Sequence, residues 1–108
     1  MTSQETAEKA IEILADKKAI DIKSYDIRDK PGAFADFAIV ATANSQPHLK
    51  ALAGAAQSEM RKIGGGLSRI SGDSESAWIV VDFGDVMAHI FLSNAREYYE
   101  IERLWIKG

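Results

Sequence analysis

The sequence predicts a single α/β domain of the α+β mixed kind, a mixed β-sheet with packed helices, and three observations lead there. Residues 78–92, W-I-V-V-D-F-G-D-V-M-A-H-I-F-L, alternate in character on either side of a turn, the pattern of an antiparallel hairpin. Residues 37–42, F-A-I-V-A-T, are a short, nearly continuous apolar run, suited to a central strand covered on both faces. Between them Leu49, Leu52, Ala53, Ala56, Met60 and Ile63 keep helical spacing. The strand–helix–strand piece over residues 37–70 can form a parallel crossover, whereas the hairpin must be antiparallel, so the sheet is mixed.

Caps and breakers supply the remaining elements. Thr2 or Ser3 caps a first helix over about residues 4–18, with Glu5 completing a capping box and Ala7, Ala10, Ile11 and Leu14 forming its apolar stripe. Ile20–Ile27 reads as a strand, with Ile20 and Ile22 on one side and Tyr25 and Ile27 on the other. Residues 28–32 follow as a turn-rich loop. Asn44-Ser45-Gln46-Pro47 ends the central strand and starts the second helix, which Gly64-Gly65-Gly66 stops. Leu67–Ile70 is expected as a short edge strand and Gly72–Ser76 as a polar loop before the hairpin. Ser93 caps a last helical segment with the tail R-E-Y-Y-E-I-E-R-L-W, on which Tyr98, Ile101 and Trp105 share a face while Tyr99 and Arg103 point elsewhere. With no internal repeat or linker, residues 1–108 read as one domain.

Composition narrows the function. Of 108 residues, 46% are hydrophobic and 27% charged, ordinary values for a soluble globular domain. No stretch approaches the roughly 18 apolar residues a membrane span requires, and the polar start M-T-S-Q-E-T-A-E-K reads as neither a secretory signal nor a transit peptide, so no membrane partner is expected. There is no cysteine, which removes disulfides, thiol catalysis and cysteine-based metal sites and fits a reducing, cytoplasmic setting. The net charge of −3, without any block of Lys or Arg, argues against broad electrostatic binding to nucleic acid. Little or no direct nucleic-acid contact is expected, and a basic protein surface is the more natural partner.

The hairpin supplies the candidate site. A two-residue turn at Phe83-Gly84 and a four-residue loop over Asp82–Asp85 both pair Val81 with Val86; the longer loop is more comfortable, because Phe83 would otherwise need positive φ. One face is then wholly apolar (Ile79, Val81, Val86, Ala88, Ile90, Leu92) and belongs to the core. The other gathers Trp78, Val80, Asp82, Asp85, Met87, His89 and Phe91. Asp82, Asp85 and His89 do not read as a metal site, since D-F-G-D straddles a turn and His48 is the only other histidine. The two carboxylates cap the turn or meet a basic partner. Asn44-Ser45, near His48 and Lys50, reads as a helix cap rather than an anion site, with nothing glycine-rich around it. No dinucleotide, P-loop or nucleophile-elbow motif occurs, so no catalytic residue, metal or cofactor is assigned. Trp78, Asp82, Phe83, Asp85, His89, Phe91, Tyr98, Tyr99 and Trp105 are the candidate partner-binding residues. The last segment holds more rings than one helical face can bury, and exposed Tyr and Trp are frequent anchors of protein interfaces.

The runs A-D-F-A-I-V-A-T-A-N-S (35–45), W-I-V-V-D-F-G-D-V-M-A-H-I-F (78–91) and R-E-Y-Y-E-I-E-R-L-W (96–105), in this order and spacing, resemble the bacterial ribosomal silencing factor family, RsfS, also called Iojap. The resemblance covers nearly the whole chain. It implies a nucleotidyltransferase-like fold without that activity, and the chain lacks the Gly-Ser and Asp-x-Asp signature by which such enzymes hold nucleotide and metals. It further implies a protein that is not an enzyme and that binds the large ribosomal subunit through a ribosomal protein, the fourteenth of that subunit, on the inter-subunit face. Standing there, it blocks joining of the small subunit and lowers translation when nutrients are scarce. Organellar relatives act in large-subunit assembly, and free members are often homodimers. The departures are small: Phe83 stands where a tyrosine is common, and Gly64–Gly66 with Gly72–Ser76 replace a segment that varies in the family. Two competing readings are an assembly factor touching ribosomal RNA, which the acidic charge opposes, and a nucleotidyltransferase or hydrolase using Asp82, Asp85 and His89, which the missing motifs oppose.

Overall fold

The computed structural model describes residues 1–33, 35–73, 75 and 77–106, with the side chains of Asp73 and Ile106 left aside. Its centre is β2 (Phe37–Ala43), every residue of which is buried. An apolar run of this kind tolerates neighbours on both edges and cover on both faces. On one edge β2 pairs antiparallel with β1 (Ile20–Asp26), and on the other it pairs parallel with β5 (Val86–Leu92). The five-stranded sheet is completed by β4 (Trp78–Asp82) and β3 (Arg69–Asp73), in the order β1-β2-β5-β4-β3. It is the mixed sheet expected. The parallel neighbour of β2 is the second hairpin strand, however. Although β3 runs in the same direction as β2, β5 and β4 lie between them.

Two helices cover one face. In α1 (Ser3–Asp16), Thr2 and Glu5 form the predicted reciprocal cap, and Ala7, Ala10 and Leu14 turn inward at helical spacing. The helix stops short of residue 18 because Lys18 takes φ +71°. In α2 (Gln46–Lys62) the Ser45 hydroxyl accepts from the His48 N–H, and Leu49, Leu52, Ala53, Ala56 and Met60 pack inward. Gly65 donates its N–H to the Met60 carbonyl at 2.9 Å, and a Cβ there would lie 2.4 Å from Met60 Cγ. Only glycine ends the helix this tightly. Both apolar stripes bury Phe37, Ile39 and Ala41 of β2 and Ile79, Val81, Val86, Ala88 and Ile90 of the hairpin.

The hairpin register differs from the expected one by two residues. Val81 pairs with Ala88 and Asp82 with Met87, and the Phe83 N–H donates to the Val86 carbonyl at 2.8 Å. The loop is therefore Gly84-Asp85, with Gly84 at φ +94° in the first position, the arrangement a primed two-residue turn requires of a glycine. The chain thus spares Phe83 a positive φ. Because the slip is an even number of residues, the division into faces survives.

Three further expectations are corrected. The edge strand is Arg69–Asp73, not Leu67–Ile70; Leu67 is 84% exposed, and Gly72, assigned to a loop, lies within the strand. Ser74 and Ser76 of that loop lie outside the described residues. In β1 a register shift between Ile20 and Lys23, with Asp21 at φ +50°, leaves Ile20 exposed while Ile22 joins the helix-side core. Tyr25 and Ile27 lie on the opposite face, as expected. Last, the C-terminal helix is not continuous. α3 (Ser93–Tyr99) ends at Glu100, φ +48°, and a short α4 (Arg103–Ile106) follows. Ser93 is its first residue rather than its cap, and Leu92 holds the cap position without a side-chain bond.

Ile90, fully buried between sheet and helices, tests this packing. Ile90→Ala is expected to destabilise the fold by roughly 2–5 kcal/mol in denaturant melts, with native-like far-UV dichroism before the transition.

Candidate protein-docking site on the second sheet face

The face opposite α1 and α2 carries alternate residues of the same strands, and aromatic rings cover it. Val40 and Phe91 form the floor, both fully buried. Trp78 stacks on Phe91 with centroids 5.1 Å apart and donates its Nε1–H to His89 Nδ1 at 3.3 Å. Trp105 lies against His89 at 5.6 Å and against Tyr25 at 5.6 Å. Tyr99 meets Trp78 at 4.9 Å, and Tyr98 stands edge-on to Tyr99 at 5.1 Å. The rings run without interruption from Tyr25 on the edge strand to Tyr98 at the surface. His89 is 7% exposed, and burial pushes its imidazole pKa down to about 4. At neutral pH it is an uncharged donor–acceptor ring.

The C-terminal segment is held over this face by one arginine. Arg96 grips the Glu102 carboxylate twice, Nε to Oε1 at 2.7 Å and Nη2 to Oε2 at 3.0 Å. Its Nη1 reaches the Asp21 carbonyl at 2.7 Å and Thr42 Oγ1 at 2.8 Å. The Tyr25 hydroxyl donates to Glu102 as well. Hydrogen bonds from Arg96 hold the Glu102 carboxyl below the ordinary range, while burial, reinforced by Glu102, pushes the Tyr25 hydroxyl up to about 12. The sequence reading missed this clasp. Arg96 and Glu102 are six residues apart, which is no helical spacing, and they meet only because the chain turns at Glu100.

Of the candidate residues, Trp78, His89, Phe91, Tyr98, Tyr99 and Trp105 come together. Phe91 and His89, expected to face a partner, are instead the floor beneath Trp78, Tyr99 and Trp105, because the terminal segment folds back over them. Tyr98, expected to share a face with Ile101 and Trp105, is 80% exposed while Trp105 packs on His89 and Tyr25, and Tyr99 lies tilted against Trp78. Phe83 packs on the helix-side core. Asp82 and Asp85 sit at the far end of the hairpin, Asp82 four strand positions and so about 13 Å from Trp78. Both ends of that distance lie on β4, so no hairpin register brings Asp82 beside Trp78. The Asp82 carboxylate accepts from the Gly84 N–H at 2.8 Å, and the Asp85 carbonyl accepts from the N–H groups of Asp36 and Phe37, tying the turn to the start of β2. His48 is a structural bolt: Nδ1 accepts from the Asn44 N–H at 3.1 Å and Nε2 donates to the Lys17 carbonyl at 2.9 Å. Among the described residues no group of three His, Asp or Glu side chains could hold a metal ion, and no helix is long and apolar enough to cross a membrane.

Comparison with known proteins is specific. A family described as ribosomal silencing factor during starvation matches residues 1–108. The ribosomal silencing factor of Chromobacterium violaceum is 38% identical over 105 residues, covering 97% of this chain and 85% of that protein. A crystal structure of a C. violaceum protein superposes with a TM-score of 0.91 at 37% identity, covering 97% of this chain and 87% of that one. The chloroplastic Iojap protein of Zea mays is 36% identical over 96 residues, covering 82% of this chain and 40% of that protein.

Two measurements test the geometry. Glu102→Gln removes the charge that Arg96 grips; it is expected to cost about 1.5–3 kcal/mol and to red-shift the fluorescence of Trp105 as the terminal segment loosens. His89 titrates below its unfolded value near 6.5, so the unfolded chain takes up a proton first as pH falls. Stability is therefore expected to decline by roughly 3 kcal/mol between about pH 6.5 and 4. His89→Phe should flatten that part of the pH profile.

Proposed function

Because this chain belongs to the ribosomal silencing factor family, we propose that it represses translation by docking on the large ribosomal subunit. The docking partner is a ribosomal protein of the inter-subunit face, the fourteenth of that subunit, and the bound factor keeps the small subunit from joining when nutrients are scarce. The observation that carries this reading is the family match over residues 1–108. It is a binding role without chemistry, performed in the cytoplasm where the subunits meet.

The surface supports the same conclusion. Tyr98, Tyr99 and Leu104 are 80%, 47% and 70% exposed, beside Trp78 and Trp105. Large rings that are half in water and already rigidified by stacking are efficient interface anchors, because little rotamer freedom remains to be lost on binding. The net charge of −3 favours a partner rich in Lys and Arg. Asp85 is exposed at the hairpin tip and offers a carboxylate to such a partner, with Asp82 beside it. Glu97 and Glu100 form the acidic rim; Glu102 faces Arg96 and takes no part in it.

Co-sedimentation with isolated subunits tests the reading: the protein should pellet with large subunits alone and reduce the yield of joined ribosomes in a gradient. Pelleting with small subunits only, or with neither, overturns it. Tyr98→Ala and Asp85→Lys should each weaken large-subunit binding at least tenfold (about 1.4 kcal/mol) with unchanged melting temperature. Glu97→Lys should cost little near physiological salt, where charges are screened over about 8 Å. Full binding by both of the first two variants would move the docking surface off this face.

A further inference from the structure

A cleft of about 330 Å³ opens between the segment after β1 and the short α4, on the same sheet face but beyond the ring of Trp105. Its walls are apolar, formed by Ile27, Ala35, Met87 and Trp105, and Leu104 stands at its mouth with 70% of its surface in water. Two polar groups break this lining, His89 and Lys30. His89 is 7% exposed, and its Nδ1 already accepts the Trp78 Nε1–H. The ring proton therefore resides on Nε2, which has no hydrogen-bond partner among the described residues and belongs to a side chain that lines the cleft. Although Asp and Glu number 16 in this chain against 13 Lys and Arg, no acidic residue lines the cleft among the described residues.

We propose that this cleft binds a small organic acid, an apolar body carrying one carboxylate. The body fills the space between Met87, Ala35 and Trp105. The carboxylate accepts the His89 Nε2–H and faces the Lys30 ammonium. An acceptor brought in on an apolar body replaces water at this N–H while excluding it from the apolar walls. The volume lies at the small end of the range for ligand pockets, which sets the size of the body near a single aromatic ring with a short chain. A cation of the same shape would meet a donor and a like charge. The inference stands apart from ribosome docking and is read without subunits.

The probes are 3-phenylpropionate and, with the same body and the opposite charge, 3-phenylpropylamine. Each is titrated into the full chain while the His89 ring and the Trp105 indole are followed by NMR. The acid is expected to shift both residues saturably and the amine to shift neither. Lys30→Glu, a change at the rim, should weaken the acid at least fivefold, and Ala33→Trp at the exposed mouth should block it; both variants should keep the wild-type melting temperature. Equal shifts from acid and amine, no shift at His89 with either, or unchanged acid affinity in folded Lys30→Glu would overturn the proposal.

Discussion

The parallel ladder between β2 and β5, from Phe37 opposite Val86 to Ala43 opposite Leu92, is the constraint on which the rest of the molecule hangs. It joins segments some fifty residues apart in sequence, so its loop-closure entropy must be offset by burial, and the burial is complete: Ile39, Val40, Val86, Ala88, Ile90 and Phe91 are all inaccessible. Because neighbouring residues point to opposite faces, the ladder also divides the molecule in two. Ile39, Ala41, Ala88 and Ile90 face the helices, while Val40, His89 and Phe91 face the rings.

The two faces are covered by different physics. On the helix side the cover is supplied by long amphipathic helices whose stripes need only be apolar and of the right size. On the ring side α3 and α4 are too short to hold themselves in place, with seven and four residues. There Arg96 acts as the fastener, reaching the terminal segment through Glu102, β1 through the Asp21 carbonyl and β2 through Thr42. A nearly buried guanidinium carries a large desolvation cost, and it is tolerable here because each nitrogen of the fork finds an oxygen. The outcome is a specified arrangement of rings: Tyr98 is left in water, and Tyr99 and Trp105 are set on Trp78 and His89.

This division suits the proposed role of docking on a protein partner. A surface that must present aromatic side chains needs them rigid before the partner arrives, and stacking on a buried floor supplies that rigidity without exposing the core. Both histidines, the residues most apt for acid–base work, are occupied structurally: His48 bridges Asn44 and Lys17, and His89 receives the Trp78 N–H. The acidic turn lies at the other end of the hairpin, so aromatic anchors and carboxylates are two patches and not one.

The sequence by itself determined the local and periodic features. The Thr2–Glu5 cap, the inward residues of α1 and α2, the fully buried strand and the two hairpin faces all follow from spacings of 3.6 and 2 or from a single side chain bonding its own backbone. The family is equally legible, since the residues at 35–45, 78–91 and 96–105 carry it. Tertiary structure alone decided the rest. The pairing of Val81 with Ala88 turned on which residue could accept positive φ, and Gly84 took that position once Phe83 had been drawn into the helix-side core. The placement of β3 came from the free edge of β4, because R-I-S-G-D has no apolar alternation of its own. The break at Glu100 brings Arg96 onto Glu102, and their contacts with each other, with β1 and with β2 offset the helical turn that is given up. In each instance the deciding partner lies far along the chain or out of helical register, and periodicity carries no information about such a partner.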